Sequence, residues 1–246
     1  MRRFGLIGRT LGHSFSAKYF TEKFEREGLS EQCRYDLFEM PEVACVEQLI
    51  EQSEGLVGFN VTIPYKQQII PYLNSLSDEA RNIGAVNCVK LSADGTRTGY
   101  NTDVDGIRIS LDKLLGSAEI ESALVLGSGG ASQEVQYVLA ERGIRFSIVS
   151  RDCTKGNLTY DDLSPEVIAE NSLIINTTPV GMYPHHEQAP DIAYSALTPN
   201  HYLFDLVYNP ERTLFLERGA KQSAHTLSGL DMLYAQAEAA WKIWNE

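Results

Sequence analysis

Ten residues, Ala123 to Ser132 (ALVLGSGGAS), constrain this chain more than any others. Ala123-Leu124-Val125-Leu126 is an apolar run with the length of a buried strand. Gly127-Ser128-Gly129-Gly130 turns the chain, and a helix is expected from Ala131 to a stop at Gly143. A second apolar run, Phe146 to Val149, completes a βαβ unit. A strand, a glycine turn and a helix start make a phosphate cradle. Backbone N–H groups approach a pyrophosphate only where side chains are absent, and the helix N-terminus adds a positive field. The G-x-G-x-x-G template is met at Gly127 and Gly129, while its third place holds Ser132. A dinucleotide-binding unit starts at its first strand, so the residues before it form a separate unit.

That earlier part is itself α/β. Phe4–Gly8 reads as a strand, followed by a helix through Phe20 and Phe24 that stops at Gly28. Tyr35–Phe38 is a second strand, 43–52 a helix and Leu56–Thr62 a third strand ended by Pro64, which together predict a parallel sheet. Ser14 and Ser16 flank the first helix start, where a serine is most often an N-cap. The alternative is a carboxylate clamp, two O–H donors beside helix N–H groups. Lys66 opens a predicted helix through Ile70, at the end of a strand where open α/β sheets place ligands. A cation is unfavourable at a helix N-terminus, which hints at a task. Ala85–Leu91 reads as a strand with Asn87 inside it, and Asp103 precedes a helix over Ile107–Leu115 as a potential cap. A lysine beside a carboxylate can hold and pass a proton, so Lys66 and Asp103 mean more together than singly.

Beyond the glycine turn, Arg151 lies near the position that reads the ribose in a dinucleotide fold, with Asp152 beside it. An acid there suits the 2′-OH of NAD, and an arginine suits the 2′-phosphate of NADP. Residues 154–171 predict only a reduced crossover helix. Ser172–Pro179 and Tyr202–Tyr208 read as strands, and helices are expected over Arg212–Gln222 and Leu230–Trp244, with Gln236 in the last. His185 and His186 are adjacent, poor spacing for a metal on any regular element, and no metal is expected. A net charge of −12 without a basic run argues against nucleic acid. Four cysteines without a C-x-x-C pair, no membrane-length apolar run and no signal-like start point to a cytoplasmic protein with reduced thiols.

Eight stretches in this order resemble the shikimate/quinate dehydrogenase family. They are Gly12-His13-Ser14-Phe15-Ser16, Asn60 to Lys66 (NVTIPYK), Gly84 to Asn87 (GAVN), Asn101-Thr102-Asp103, Gly127 to Ser132, Asn176 to Met182 (NTTPVGM), Asp205 to Tyr208 (DLVY), and Gly229 with Met232, Leu233 and Gln236. The resemblance covers nearly the whole chain and implies two α/β domains with a cleft between them. One is a substrate domain, 1–104 plus 228–246; the other is a Rossmann-like NADP-binding domain, 105–227, with the C-terminal helix returning to the first. It implies that Lys66, aided by Asp103, exchanges the proton of the reacting hydroxyl while nicotinamide carries the hydride. Ser14 and Ser16 would bind the substrate carboxylate, and Thr62, Asn87, Tyr208 and Gln236 would complete the substrate contacts. Gly127, Ser128, Gly129, Gly130, Ala131, Ser150, Arg151, Thr177, Leu206 and Gly229 would hold the cofactor. The implied reaction is the reversible, NADP-dependent reduction of 3-dehydroshikimate to shikimate, by a monomer or homodimer without nucleic acid or membrane partners.

The departures lie on the adenosine-phosphate side. Ser128 stands where the family commonly has Ala, Gln133 where a basic residue is common, and Ser150-Arg151-Asp152 in place of Asn-Arg-Thr. Asp152 is expected to weaken the preference for NADP by repelling the phosphate or engaging Arg151, with Lys155 the nearby replacement cation. Two alternatives follow: a quinate/shikimate dehydrogenase using NAD, and a non-catalytic sensor, against which the retained Lys66 and Asp103 argue.

Overall fold

The computed structural model describes residues 1–12 and 14–246; His13, within the Gly12–Ser16 stretch, lies outside the described residues. The chain divides into two compact units, Met1–Thr102 with Ala237–Glu246, and Asp103–Gln236. The divisions thus fall after residues 102 and 236, against the expected 104 and 227.

The first unit holds β1 (Arg2–Gly8), α1 (Phe15–Arg26), β2 (Cys33–Glu39), α2 (Cys45–Gln52), β3 (Leu56–Val61), β4 (Ser75–Leu76), α3 (Asp78–Ile83), β5 (Cys88–Leu91) and β6 (Arg97–Tyr100). Their sheet runs β2-β1-β3-β5-β6-β4. β1 pairs in parallel with β2 and β3, as the strand–helix–strand pattern requires. The parallel sheet expected from these three strands is present, and the strands beyond it depart from that pattern: β5 is antiparallel to both β3 and β6. The connection from β3 to β5 carries no full crossover helix, and a short return favours antiparallel pairing. The predicted helix from Lys66 is also corrected. Residues 66–69 form successive turns, and a 3₁₀ turn follows at Ile70–Tyr72. Pro71, five residues after Lys66, lacks the N–H that a continuing helix would need.

An aromatic core closes this unit. Phe4, Phe20, Phe24 and Trp244 are buried together, with Phe20 stacked on Tyr35 at 4.6 Å between centroids. The Trp244 indole N–H donates to Val89 O at 3.0 Å, so the end of the C-terminal helix is pinned to the sheet by a satisfied polar tip.

The second unit contains α4 (Asp103–Leu115), β7 (Ser122–Leu126), α5 (Gly130–Glu141), β8 (Arg145–Val149), α6 (Pro165–Glu170), β9 (Leu173–Asn176), β10 (Tyr202–Asp205), α7 (Leu214–Lys221) and β11 (His225–Ser228). The five strands are all parallel in the order β11-β10-β9-β7-β8. The order reverses at β7, so the glycine turn lies at the switch point where such sheets bind ligands. The crossover helix α6 has only six residues, the reduction expected from 154–171. Helix α8 (Leu230–Asn245) follows β11; its residues through Gln236 group with the second unit and the rest with the first. Several boundaries differ from expectation; β9 ends at Asn176, so Thr177 to Pro179 are not strand residues. Helix α4 begins at Asp103 rather than Ile107, with Asp103 and Asp105 in the first turn where the helix dipole favours them. Asp103 is therefore a helical residue, not a cap preceding the helix. Strand β10 ends at Asp205, so Leu206 to Tyr208 are not strand residues.

No helix among the described residues is long and apolar enough to cross a membrane.

Candidate active site

In the first unit, Ser14 caps α1, accepting from Ala17 N at 3.4 Å. The cap does not exclude the clamp. A hydroxyl accepts through its lone pairs and keeps one proton to donate. Ser16 lies in the first turn of α1, half-buried, beside the hydroxyl of Tyr35. Burial pushes that phenol up, while Ser16 acts in the opposite direction.

A buried polar chain runs beneath these serines. Tyr35 donates to Asn60 Oδ1 at 2.8 Å, and Asn60 Nδ2 donates to the Asn87 carbonyl at 3.2 Å. Asn87 Oδ1 accepts from the backbone N–H of Thr102 at 2.7 Å. Asn87 is only 4% exposed and lies just before β5 rather than inside a strand. Its amide is a satisfied core group on one side, and Nδ2 has capacity for a further acceptor beyond Thr102 Oγ1 at 3.1 Å.

Thr62 follows β3, its N–H bonded to Ile7 O at 3.0 Å. The turn carrying Lys66 is fixed from both sides. The fully buried Tyr65 donates to Met40 O at 2.6 Å, and Lys66 O accepts from Val86 N at 2.8 Å. Ser14, Ser16, Thr62, Lys66 and Asn87 thus belong to one unit; Asp103, Tyr208 and Gln236 belong to the other. Gln236 is 8% exposed, its Nε2 donating to Leu233 O at 2.9 Å, while Tyr208 is partly exposed.

Six of the ten cofactor candidates, Gly127, Ser128, Gly129, Ser150, Arg151 and Thr177, line one cavity of about 790 Å³ in the second unit; Gly130, Ala131, Leu206 and Gly229 are not among its lining residues. Gly127 has φ +112°, and an added Cβ would meet Thr177 Oγ1 at 2.7 Å and Thr178 Cγ2 at 2.9 Å. Only glycine combines that conformation with so close a neighbour. Gly129 caps α5, and Gly130 and Ala131 form its first turn. Ser132 is fully buried and accepts from Gln136 Nε2 at 2.9 Å, so the third template position is a packed hydroxyl. Thr177 is held by Leu126 O through both its N–H (2.9 Å) and its Oγ1 (2.8 Å).

Two of the family departures meet. Ser128 Oγ and Ser150 Oγ are 3.1 Å apart, and Ser150 Oγ also accepts from Asp152 N at 3.2 Å. The Asp152 carboxylate accepts from Thr154 N (3.0 Å) and Thr154 Oγ1 (2.6 Å) and pairs with Lys155 at 3.4 Å. The hydroxyl and N–H of Thr154, with Lys155, hold that carboxyl below its usual range. The expectation that Asp152 engages Arg151 is therefore corrected: its partners are Thr154 and Lys155. A turn so short brings residues two and three places on within reach of an aspartate. Lys155 and Tyr160 also line the cavity, and burial raises the Tyr160 phenol despite the nearby Arg151 charge.

Leu206 and Gly229 are in direct backbone contact. A Cβ on Gly229 would lie 2.2 Å from Leu206 O, and Gly229 N donates to Val207 O at 3.2 Å. The sequence reading gave no role to the buried groups that hold these pieces, Asn60 in the first unit and Asn176 and Asp205 in the second. Each is a polar residue at or near the end of an apolar strand, the one signal available. Among the described residues no three His, Cys, Asp or Glu side chains form a metal-binding group.

Fold and glycine turn define the second unit as a dinucleotide-binding α/β layer, joined in one chain to an α/β unit with a lysine-bearing strand end. Residues 6–89 match the family model for the shikimate dehydrogenase substrate binding domain. The chain is 38% identical to a shikimate dehydrogenase (NADP(+)) of Clostridium beijerinckii, over 100% of this chain and 93% of that one. Among solved structures, shikimate 5-dehydrogenase from Thermus thermophilus in complex with NADP(H) and shikimate is 29% identical, with TM-score 0.84 and coverage of 99% and 93%. Quinate dehydrogenase from Corynebacterium glutamicum in complex with NAD is 26% identical, with TM-score 0.90 and the same coverage. The chain belongs to the shikimate dehydrogenase family.

Proposed function

We propose that this protein catalyses the reversible reduction of 3-dehydroshikimate to shikimate with NADPH. The observation that carries this reading is the relation to a shikimate dehydrogenase (NADP(+)) across both units of the chain. Bound NADPH would supply the hydride. This chain's residues would then do three things. Ser14 and Ser16 donate to the substrate carboxylate, reinforced by the N-terminal field of α1. Thr62, Asn87, Tyr208 and Gln236 accept and donate to its hydroxyls. Lys66 delivers a proton to the carbonyl oxygen as it becomes an alkoxide, with Asp103 keeping the ammonium in place and charged. Arg151, with Lys155 nearby, provides the positive charge that a 2′-phosphate requires. We also place the protein in the cytoplasm, in keeping with four cysteines that form no C-x-x-C pair, as a monomer or homodimer.

A second reading, quinate oxidation with NAD, is favoured by the TM-score of 0.90 to a quinate dehydrogenase with NAD and by Asp152 beside the ribose-reading position. An absorbance assay at the reduced-nicotinamide band, crossing shikimate and quinate with NADP and NAD, separates them. The expected result is the highest kcat/KM for shikimate with NADP. A higher value for quinate with NAD selects the second reading, and no turnover with any pair selects a non-catalytic sensor.

A further inference from the structure

Asp205 is fully buried, and none of the proposed steps uses it. Its carboxylate faces three donors. Oδ1 accepts from Asn176 Nδ2 at 2.9 Å and from Val207 N at 3.0 Å, and Oδ2 accepts from Thr213 Oγ1 at 2.5 Å. The polarity is fixed by the partners' other bonds. Asn176 Oδ1 accepts from Thr178 N at 3.1 Å and Thr178 Oγ1 at 2.6 Å, so its NH2 must face Asp205 and Val180 O. Thr213 Oγ1 accepts from Leu216 N at 3.4 Å as the cap of α7, so its proton is directed to Asp205. Burial pushes the Asp205 carboxyl up to about 6, against the three donors that favour the ionised form.

What this carboxylate joins is informative. Through Asn176 it holds the loop of Thr177 and Thr178, which packs directly on Gly127 of the glycine turn. Through Val207 it holds the segment whose Leu206 carbonyl packs on Gly229. Four of the ten cofactor candidates, Gly127, Thr177, Leu206 and Gly229, therefore lie one or two contacts from one buried charge. A buried charge with directional partners resists displacement, because moving any partner leaves the charge unpaired in a poorly polarisable surrounding.

We propose that Asp205 is the positioning residue of the dinucleotide site: its carboxylate fixes the Thr177–Val180 and Leu206–Tyr208 loops against the glycine turn so that the site is preformed for a nicotinamide dinucleotide. This rests on the cofactor assignment made above.

The test uses the purified full chain. Equilibrium binding of NADPH, read by its fluorescence without turnover, is measured for the parent, Asp205→Asn and Thr213→Ala. Hydrogen exchange at the Thr178, Val180 and Val207 amides is followed in the cofactor-free proteins. Asp205→Asn keeps the shape but replaces one acceptor by a donor facing other donors. It should weaken NADPH by about tenfold or more, with faster exchange at the three amides. Thr213→Ala removes the Oδ2 donor and the α7 cap but leaves the two Oδ1 bonds, to Asn176 and Val207, that hold the loops; it should lower Tm while changing NADPH affinity by less than about twofold. If Asp205→Asn does not fold, Thr178→Val, which removes the Thr178 Oγ1 bond to Asn176 Oδ1 and keeps the backbone one, takes its place and should weaken NADPH several-fold. Unchanged affinity in the folded variant overturns the role of Asp205 while leaving the cofactor reading intact. Equal weakening in Thr213→Ala shows a general stability effect and also overturns it. A parent that binds no NADPH overturns the cofactor reading, and the proposal with it.

Discussion

Single residues here carry two duties, and the duties are separable by measurement. Ser14 accepts from Ala17 N as the α1 cap and retains a proton for a carboxylate. Ser16 is not a cap. Ser14→Ala and Ser16→Ala should each weaken shikimate by about 1–3 kcal/mol, the range for hydrogen bonds to a charge. Only Ser14→Ala should also lose about 1 kcal/mol of stability through the cap. Titrations with shikimate beside melting curves check both; a Ser14→Ala enzyme with lowered Tm but parental KM would reduce that serine to its cap. Lys66→Ala should lower kcat by about 10²–10⁴-fold, the usual range for losing a general acid–base, with KM for shikimate little changed. A rise in KM at parental kcat would make Lys66 a binding group instead.

At the scale of elements, the decisive difference lies in the stretch after β8. Two sequence departures, Ser128 and Ser150, bond to each other, and Asp152 is turned onto Thr154 and Lys155. The acidic charge is thus partly matched within its own turn, and Arg151 is not its partner. Arg151→Ala should therefore raise KM for NADP by about tenfold or more and leave KM for NAD nearly unchanged. Equal losses for both cofactors would place Arg151 on the shared adenine rather than on the 2′-phosphate. The same stretch shows what a sequence discloses. Ala123–Leu126 and the glycines were legible because an apolar run and a φ-positive turn are local properties. The turns at 66–69, the two-residue β4 and the antiparallel pairing of β5 were not, since each depends on partners distant in the chain. Ser14 was legible as two opposed readings that the structure makes compatible. Asn60, Asn176 and Asp205 open stretches that carry the family resemblance, yet they gained no role of their own because a polar residue at a strand end is usually solvated. Only the assembled unit shows that these three are buried and bonded.

For the whole molecule, the buried carboxylate has a consequence for stability as well as for the site. The folded protein holds Asp205 up at about 6 because burial outweighs its three donors, whereas an unfolded aspartate titrates near about 4. Between these values the folded state binds the proton and the unfolded state does not, so stability falls as pH rises through the window. The gap between the two values corresponds to about 3 kcal/mol. The contribution is unfavourable and complete above about pH 6, and absent below about pH 4. Other carboxylates act in the opposite sense. The Arg97 guanidinium lowers Glu47, and the Thr96 and Thr154 donors lower Asp94 and Asp152, groups whose support is lost as pH falls. These are solvent-screened and weak individually. A difference measurement isolates Asp205, because Asp205→Asn removes one titration and leaves the rest. The Tm of the parent minus that of Asp205→Asn should become more negative from about pH 4.5 to about pH 7.5, a range that brackets the titration window, whatever its sign at either end. A difference that stays constant across that range would mean that the carboxylate keeps one charge state throughout, and that its three donors fully offset its burial.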